Sequence, residues 1–133
     1  MKIGSHRDLT VWQNAMDAAE RVLELADEGL FAKKLWLSDQ IQRAAASIPA
    51  NIAEGHSGVN TTRSYLKHLF IARGSLAETL TFLELAVRRQ YVGKEPRRSL
   101  WQQFQDVGRL LNGLIRALGE KLKDKSAKVR AKN

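Results

Sequence analysis

Apolar residues return along this chain at steps of three and four, in four blocks separated by glycine, proline and polar runs. That spacing lines one face of a 3.6-residue helix. In the first block Trp12, Met16, Ala19, Leu23, Ala26 and Leu30 form a stripe, while Gln13, Asp17, Glu20, Glu24 and Asp27 repeat beside it. The pattern predicts a helix that opens near Asp8 or Thr10, either of which can cap free backbone N–H groups, and ends at Gly29. Its core side is expected to be the Trp12 stripe.

The second block predicts a helix from about Leu35 to Glu54, with Leu37, Ile41, Ala44, Ile48 and Ile52 inward. Ala44, Ala45 and Ala46 keep one section thin. Pro49 removes a helical hydrogen bond and crowds the Ala45 carbonyl, so a kink is expected there. Gly55 is the expected stop, and His56 to Asn60 the loop. Asn60 or Thr61 then caps a third helix, running to about Tyr91 on Tyr65, Leu69, Ala72, Leu76, Leu80, Leu83 and Val87. Gly93 to Pro96 makes the next turn, with Pro96 suited to a first helical turn. The fourth helix carries Leu100, Phe104, Val107, Leu111, Leu114 and Leu118, a regular heptad seam. Gly108, Gly113 and Gly119 read as close-packing positions along it. The expected fold is all-α, an antiparallel up-down-up-down four-helix bundle over residues 1–122. Residues 123–133 have little to bury and are expected to fray as a basic tail.

Two helices are apolar on more sides than one core needs. Val11, Ala15, Ala18, Val22 and Leu25 lie beside the main stripe of the first. Leu66, Phe70 and Ala77, with Ile71 and Leu85, do the same on the third. Such a surplus predicts burial against another subunit, or else a wide stripe with a few exposed leucines.

Composition narrows the chemistry. There is no Cys among 133 residues, so disulfides and thiolate sites are excluded. No run approaches the ~18 apolar residues of a membrane span, and MKIGSHRDL lacks the apolar core of a signal peptide. A cytoplasmic protein with no membrane contact is the expectation. His6, His56 and His68 share no face and no ligand spacing, so neither metal nor cofactor is expected. Gly55 and Gly58 flank a turn with room for a phosphate beside Arg63, but with no Walker-type lysine and no preceding strand, turn geometry is their favoured role. No nucleophile, base and orienting group come together locally, and the chain is read as a non-enzyme.

Charge adds the strongest functional signal. The net charge is +8, spread unevenly. Residues 1–32 hold three bases and six acids, giving −3; residues 88–133 hold thirteen bases and four acids, giving +9. Arg88, Arg89, Lys94, Arg97 and Arg98 surround the last interhelical turn. Arg109, Arg116, Lys121 and Lys123 continue along the fourth helix, and Lys125, Lys128, Arg130 and Lys132 follow. Such clusters contact phosphates without reading sequence, or simply solvate a face. Trp101 and Tyr91 either offer stacking faces to bases or cap the end of the core.

Three stretches also resemble a known family. Asp8-Leu-Thr-Val-Trp-Gln-Asn-Ala-Met16, Ser38-Asp-Gln-Ile-Gln-Arg-Ala-Ala-Ala-Ser-Ile-Pro-Ala-Asn-Ile-Ala-Glu-Gly55 and Ile71-Ala-Arg-Gly-Ser-Leu-Ala-Glu78, followed by Leu83-Glu-Leu-Ala86, are similar to the four-helix-bundle proteins encoded in intervening sequences of bacterial 23S rRNA genes. The resemblance covers about residues 8–92. It implies a homopentameric ring and no catalytic residues. It makes Arg43, Pro49, Asn51, Glu54 and Gly55 structural or interfacial positions. With Leu66, Phe70 and Ile71, the first three form the candidate subunit interface. A related branch, the accessory variability determinant of diversity-generating retroelements, implies a basic barrel that binds a reverse transcriptase and its RNA. The expected partners are therefore a second copy, RNA, and in that setting a reverse transcriptase.

Overall fold

The computed structural model of this protein describes residues 5–57 and 61–132, the side chain of residue 132 excepted; Gly58 and the other loop residues 59–60 lie outside the described residues. Four α-helices follow a short 3-10 turn at His6–Asp8: α1 Thr10–Asp27, α2 Leu35–Gly55, α3 Thr62–Arg88 and α4 Lys94–Lys132. Helix α1 packs on α2 and α4, and α3 packs on the same two. Sequential neighbours thus surround one core, as an antiparallel up-down-up-down bundle requires.

Helix boundaries follow local chemistry. The side chain of Thr61 accepts a hydrogen bond from the Ser64 N–H at 3.1 Å, closing the start of α3. Gly29 adopts φ +87° just past α1. Gly29 N–H then donates to the Ala26 carbonyl and Leu30 N–H to the Leu25 carbonyl, each at 3.0 Å. This paired closure is the Schellman motif. Helix α3 ends in the same way, with Gln90 N–H to Val87 and Tyr91 N–H to Ala86. Gln90 carries φ 62° there, a left-handed conformation that a side chain makes costly.

The start of α1 differs from expectation. Neither Asp8 nor Thr10 caps it; Leu9 stands at that position without a side-chain cap bond. Asp8 is taken up by the 3-10 turn, itself capped by Ser5. Gln13 Nε2 donates to the Arg7 carbonyl at 2.8 Å and ties the turn to the helix. Leu9 is buried, so an apolar anchor occupies the place of a polar cap.

The core face of α1 is also corrected. Val11, Ala15, Ala18, Ala19, Val22 and Leu25 are buried. Met16 and Leu23, assigned to the core from the Trp12 stripe, are 40% and 41% exposed. The row read as surplus is the inner one. It lies opposite the acids Asp17, Glu20 and Glu24, whereas Met16 and Leu23 border them; an amphipathic helix turns its charged face outward and buries the side farthest from it.

Helix α2 is continuous through Pro49, which is buried within it. Gly55 is its last residue, for a steric reason more than a conformational one: a Cβ there would lie 2.8 Å from Tyr65 Cδ1 and 3.0 Å from His68 Cβ. Among the three glycines of α4, only Gly108 meets the close-packing expectation, with Leu76 Cδ2 3.2 Å from the position a Cβ would take. Gly113 and Gly119 face open space within the chain.

Helix α4 has 39 residues, about 58 Å at 1.5 Å per residue. Arg73 Nη1 donates to Asn112 Oδ1 at 3.3 Å, and Leu122 lies beside Arg63 and Leu66. The first turn of α3 is therefore level with Leu122. Helix continues to Lys132 where an irregular tail was expected, and residues 123–131 are all exposed. No Gly or Pro follows Gly119 to stop it, and Lys, Arg and Ala are strong helix formers.

Candidate functional site

The basic residues fall into two groups at opposite ends of α4. Lys94 and Lys123 are 29 residues apart on one helix, about 43 Å. At the α3–α4 turn, Glu84 collects two cations: Arg88 Nε at 3.3 Å and Arg97 Nη2 at 3.6 Å. Arg97 also lies over the Trp101 ring, 5.5 Å from its centroid. Its Nε is buried without a hydrogen-bond partner. Trp101 is half-buried against the core and Tyr91 packs there too, so both close the end of the bundle. Arg98 pairs with Glu95 at 3.5 Å, and Arg109 with Asp106. Arg89, Lys94, Arg116, Lys121 and Lys123 have no acidic partner among the described residues. Of the nine cations singled out in sequence, these five carry charge that no neighbour offsets.

The residues singled out as interfacial are not brought together on one face. Leu66 is buried, while Phe70 and Ile71 stand 48% and 44% exposed on α3. Arg43 is an exposed partner of Asp39 at 3.0 Å. Asn51 is held inside the chain: its Nδ2 donates to the Ser47 carbonyl and hydroxyl, and its Oδ1 lies 3.3 Å from His68 Nδ1. Ser75 Oγ donates to Ser47 Oγ at 2.8 Å, which completes a polar seam between α2 and α3. Pro49 is buried but forms part of the floor of an open groove.

That groove is the feature the sequence did not reveal. It measures about 470 Å³ between α1 and α2. Trp12, Met16, Ala19 and Leu23 form its α1 side; Ala46, Pro49, Ala50 and Ala53 form its α2 side; His6 and Glu20 stand at the rim. The position of the α1 acids was the available signal, because it turns Met16 and Leu23 out of the core. Leu35 and Trp36, at the start of α2, are exposed apolar residues that the pattern also left unassigned.

The fold alters the ionisation of Tyr65. Burial raises its pKa above the usual phenol value, so the hydroxyl stays neutral beside His56 Nδ1, 3.1 Å away. Among the described residues no three His, Cys, Asp or Glu side chains gather in a way that would hold a metal ion. No helix among them is long and apolar enough to cross a membrane.

The geometry therefore defines an all-helical bundle with unpaired cations along one long helix and apolar relief on its flanks. The chain belongs to the family described as the 23S rRNA-intervening sequence protein, which it matches over residues 7–113. A solved protein of unknown function from the S23 ribosomal protein family of Bacteroides thetaiotaomicron VPI-5482 has the same fold, with a TM-score of 0.72. It is 27% identical and aligns with 80% of this chain and 98% of its own. A comparison with curated proteins finds no match.

Proposed function

We propose that this protein is a non-enzymatic, self-assembling binding module whose α4 contacts structured RNA through phosphates. The observation that carries this reading is the set of unpaired cations, Arg89, Lys94, Arg116, Lys121 and Lys123, on and beside a helix that continues past its neighbour with Lys125, Lys128 and Arg130 exposed. Cations already matched to acids release little counterion on binding; unmatched ones supply the affinity. The family's own description, an intervening sequence of 23S rRNA, makes a structured rRNA fragment the polyanion to try first.

The test is fluorescence anisotropy with such a fragment across a salt series. Affinity falls steeply as salt rises. Arg89→Glu with Lys94→Glu makes that dependence shallower, by about one unit of slope for each phosphate the protein no longer neutralises. Binding that ignores salt, or none at low ionic strength, overturns the proposal. Exposed Leu35 and Trp36, at 75% and 56%, favour a second reading: an adaptor that recruits an enzyme such as a reverse transcriptase. That reading expects a partner protein to stay bound after nuclease treatment and to leave on Trp36→Ala.

A further inference from the structure

We infer that the cleft between α3 and α4, beside the turn that joins them, holds one unpaired guanine of the bound RNA. The inference rests on the RNA reading above and names what that surface selects. The cleft measures about 390 Å³. Leu80 and Leu85 of α3 and Trp101 of α4 give it apolar walls, and Glu84 and Arg88 stand in the same lining. Arg97 lies over the Trp101 ring and reaches Glu84. An aromatic ring, apolar walls, a carboxylate and two cations around one concavity suit a flat base that carries a phosphate. Arg89 and Lys94, unpaired at the ends of α3 and α4, stand at the same turn for the flanking phosphates.

The hydrogen-bonding groups choose the base. An ionised carboxylate only accepts, and its two oxygens offer about four lone-pair sites. Arg88 Nε and Arg97 Nη2 approach Glu84 at 3.3 and 3.6 Å, longer than the ~2.7–2.9 Å of a close charge-assisted bond. Glu84 therefore keeps acceptor capacity. Arg97 keeps donors, since its Nε has no hydrogen-bond partner among the described residues. Along its pairing edge guanine presents the O6 acceptor beside two donors, the ring N1–H and the N2 amino group. That order matches an arginine donor beside two carboxylate acceptors. Adenine, cytosine and uracil each set an acceptor where guanine has one of those donors, and an acceptor facing Glu84 is repelled. Bases are read on this edge where they are unstacked, in loops and bulges. Because Arg88 and Arg97 are already matched to Glu84, the cleft adds base selectivity and little salt dependence.

The test is fluorescence anisotropy on four RNA hairpins that differ only in one unpaired loop nucleotide, G, A, C or U. The wild type binds the G hairpin on the order of 10-fold more tightly than the other three, the discrimination of one bidentate contact. Glu84→Gln removes that preference and tightens binding of the other three, because it frees two arginines from their acid. Its salt dependence is no shallower than that of the wild type. Trp101→Ala weakens the G hairpin on the order of 10-fold through lost stacking, and Trp101→Phe restores most of the loss. Circular dichroism checks that each variant folds; Glu84→Gln, at a surface ion pair, decides the question if Trp101→Ala does not. Four hairpins bound equally, with affinity falling steeply in salt, overturn the guanine cleft while the RNA reading stands. A G preference that Glu84→Gln leaves intact overturns it too. No binding of any hairpin at low ionic strength ends both.

Discussion

Helices α1 and α4 both bury one amphipathic stripe, and they fill the core in opposite ways. Along α1 most of the fully enclosed positions are small, Ala15, Ala18 and Val22, with Leu25 the one large side chain, near its end. Along α4 they are large: Leu100, Phe104, Val107 and Leu111. Small residues let α1 lie close to α2 and α4, and its bulky residues, Trp12, Met16 and Leu23, are left on the flank where they build the groove. Helix α4 turns its bulk inward, leaving an outer face of cations. The same helical period thus yields an apolar flank in one case and a polyanion surface in the other, depending on which side holds the large side chains.

The largest effect expected is on the α4 side of that contrast. Phe104→Ala removes a fully buried ring and should cost about 3–5 kcal/mol, read as a lowered urea midpoint. Ala18→Leu tests the α1 side by overfilling a site with no spare space, at a cost of about 1–3 kcal/mol. Equal tolerance of both changes would mean the two helices do not differ in packing as described.

Gly55→Ala probes the close approach on which the α2–α3 junction depends. The added methyl would press on the Tyr65 ring and the His68 Cβ, and Tyr65 is itself half-buried. A loss of about 1–3 kcal/mol is expected by thermal or urea unfolding. A gain, as for an ordinary helical Gly→Ala exchange, would show that the junction relaxes freely. Gln90→Gly should act in the other direction. It relieves a left-handed φ of 62° at the end of α3 and should raise stability by about 1 kcal/mol, whereas Gly29→Ala at the matching site of α1 should lower it.

The sequence made the bundle legible because its punctuation is strong: Gly29, Thr61 and Pro96 each act locally, and the α4 seam has one reading. The α1 face was harder. Its two apolar rows are adjacent and similar in length, and counting apolar positions does not choose between them. Only weighing Asp17, Glu20 and Glu24 against each row does, and even then Ala against Met as the buried residue depends on how near α2 and α4 come. Gly55 read as a stop because its constraint is Tyr65 and His68, which only the fold brings near. The basic site was legible as a roster and not as a surface. That Arg97 answers Glu84, from another helix, follows from the α3–α4 register and cannot be read from spacing along either helix.

The smallest effect on stability is expected from deleting residues 124–133. Residues 124–131 touch no part of the core, and all are exposed, including Val129 at 57%. Leu122, beside Arg63 and Leu66, is the last side chain that leans on α3 and is retained. The urea midpoint should therefore move by less than about 0.5 kcal/mol equivalent, within the range of surface changes. RNA affinity should nevertheless fall, because Lys125, Lys128, Arg130 and Lys132 leave together and take several phosphate contacts with them. Stability and RNA affinity measured on one truncated chain thus separate the part of α4 that holds the bundle from the part that reaches beyond it. A marked loss of stability would instead show that the overhang is buried against a neighbouring copy, placing those four cations in the assembly contact and leaving RNA binding to the cations between Arg89 and Lys123.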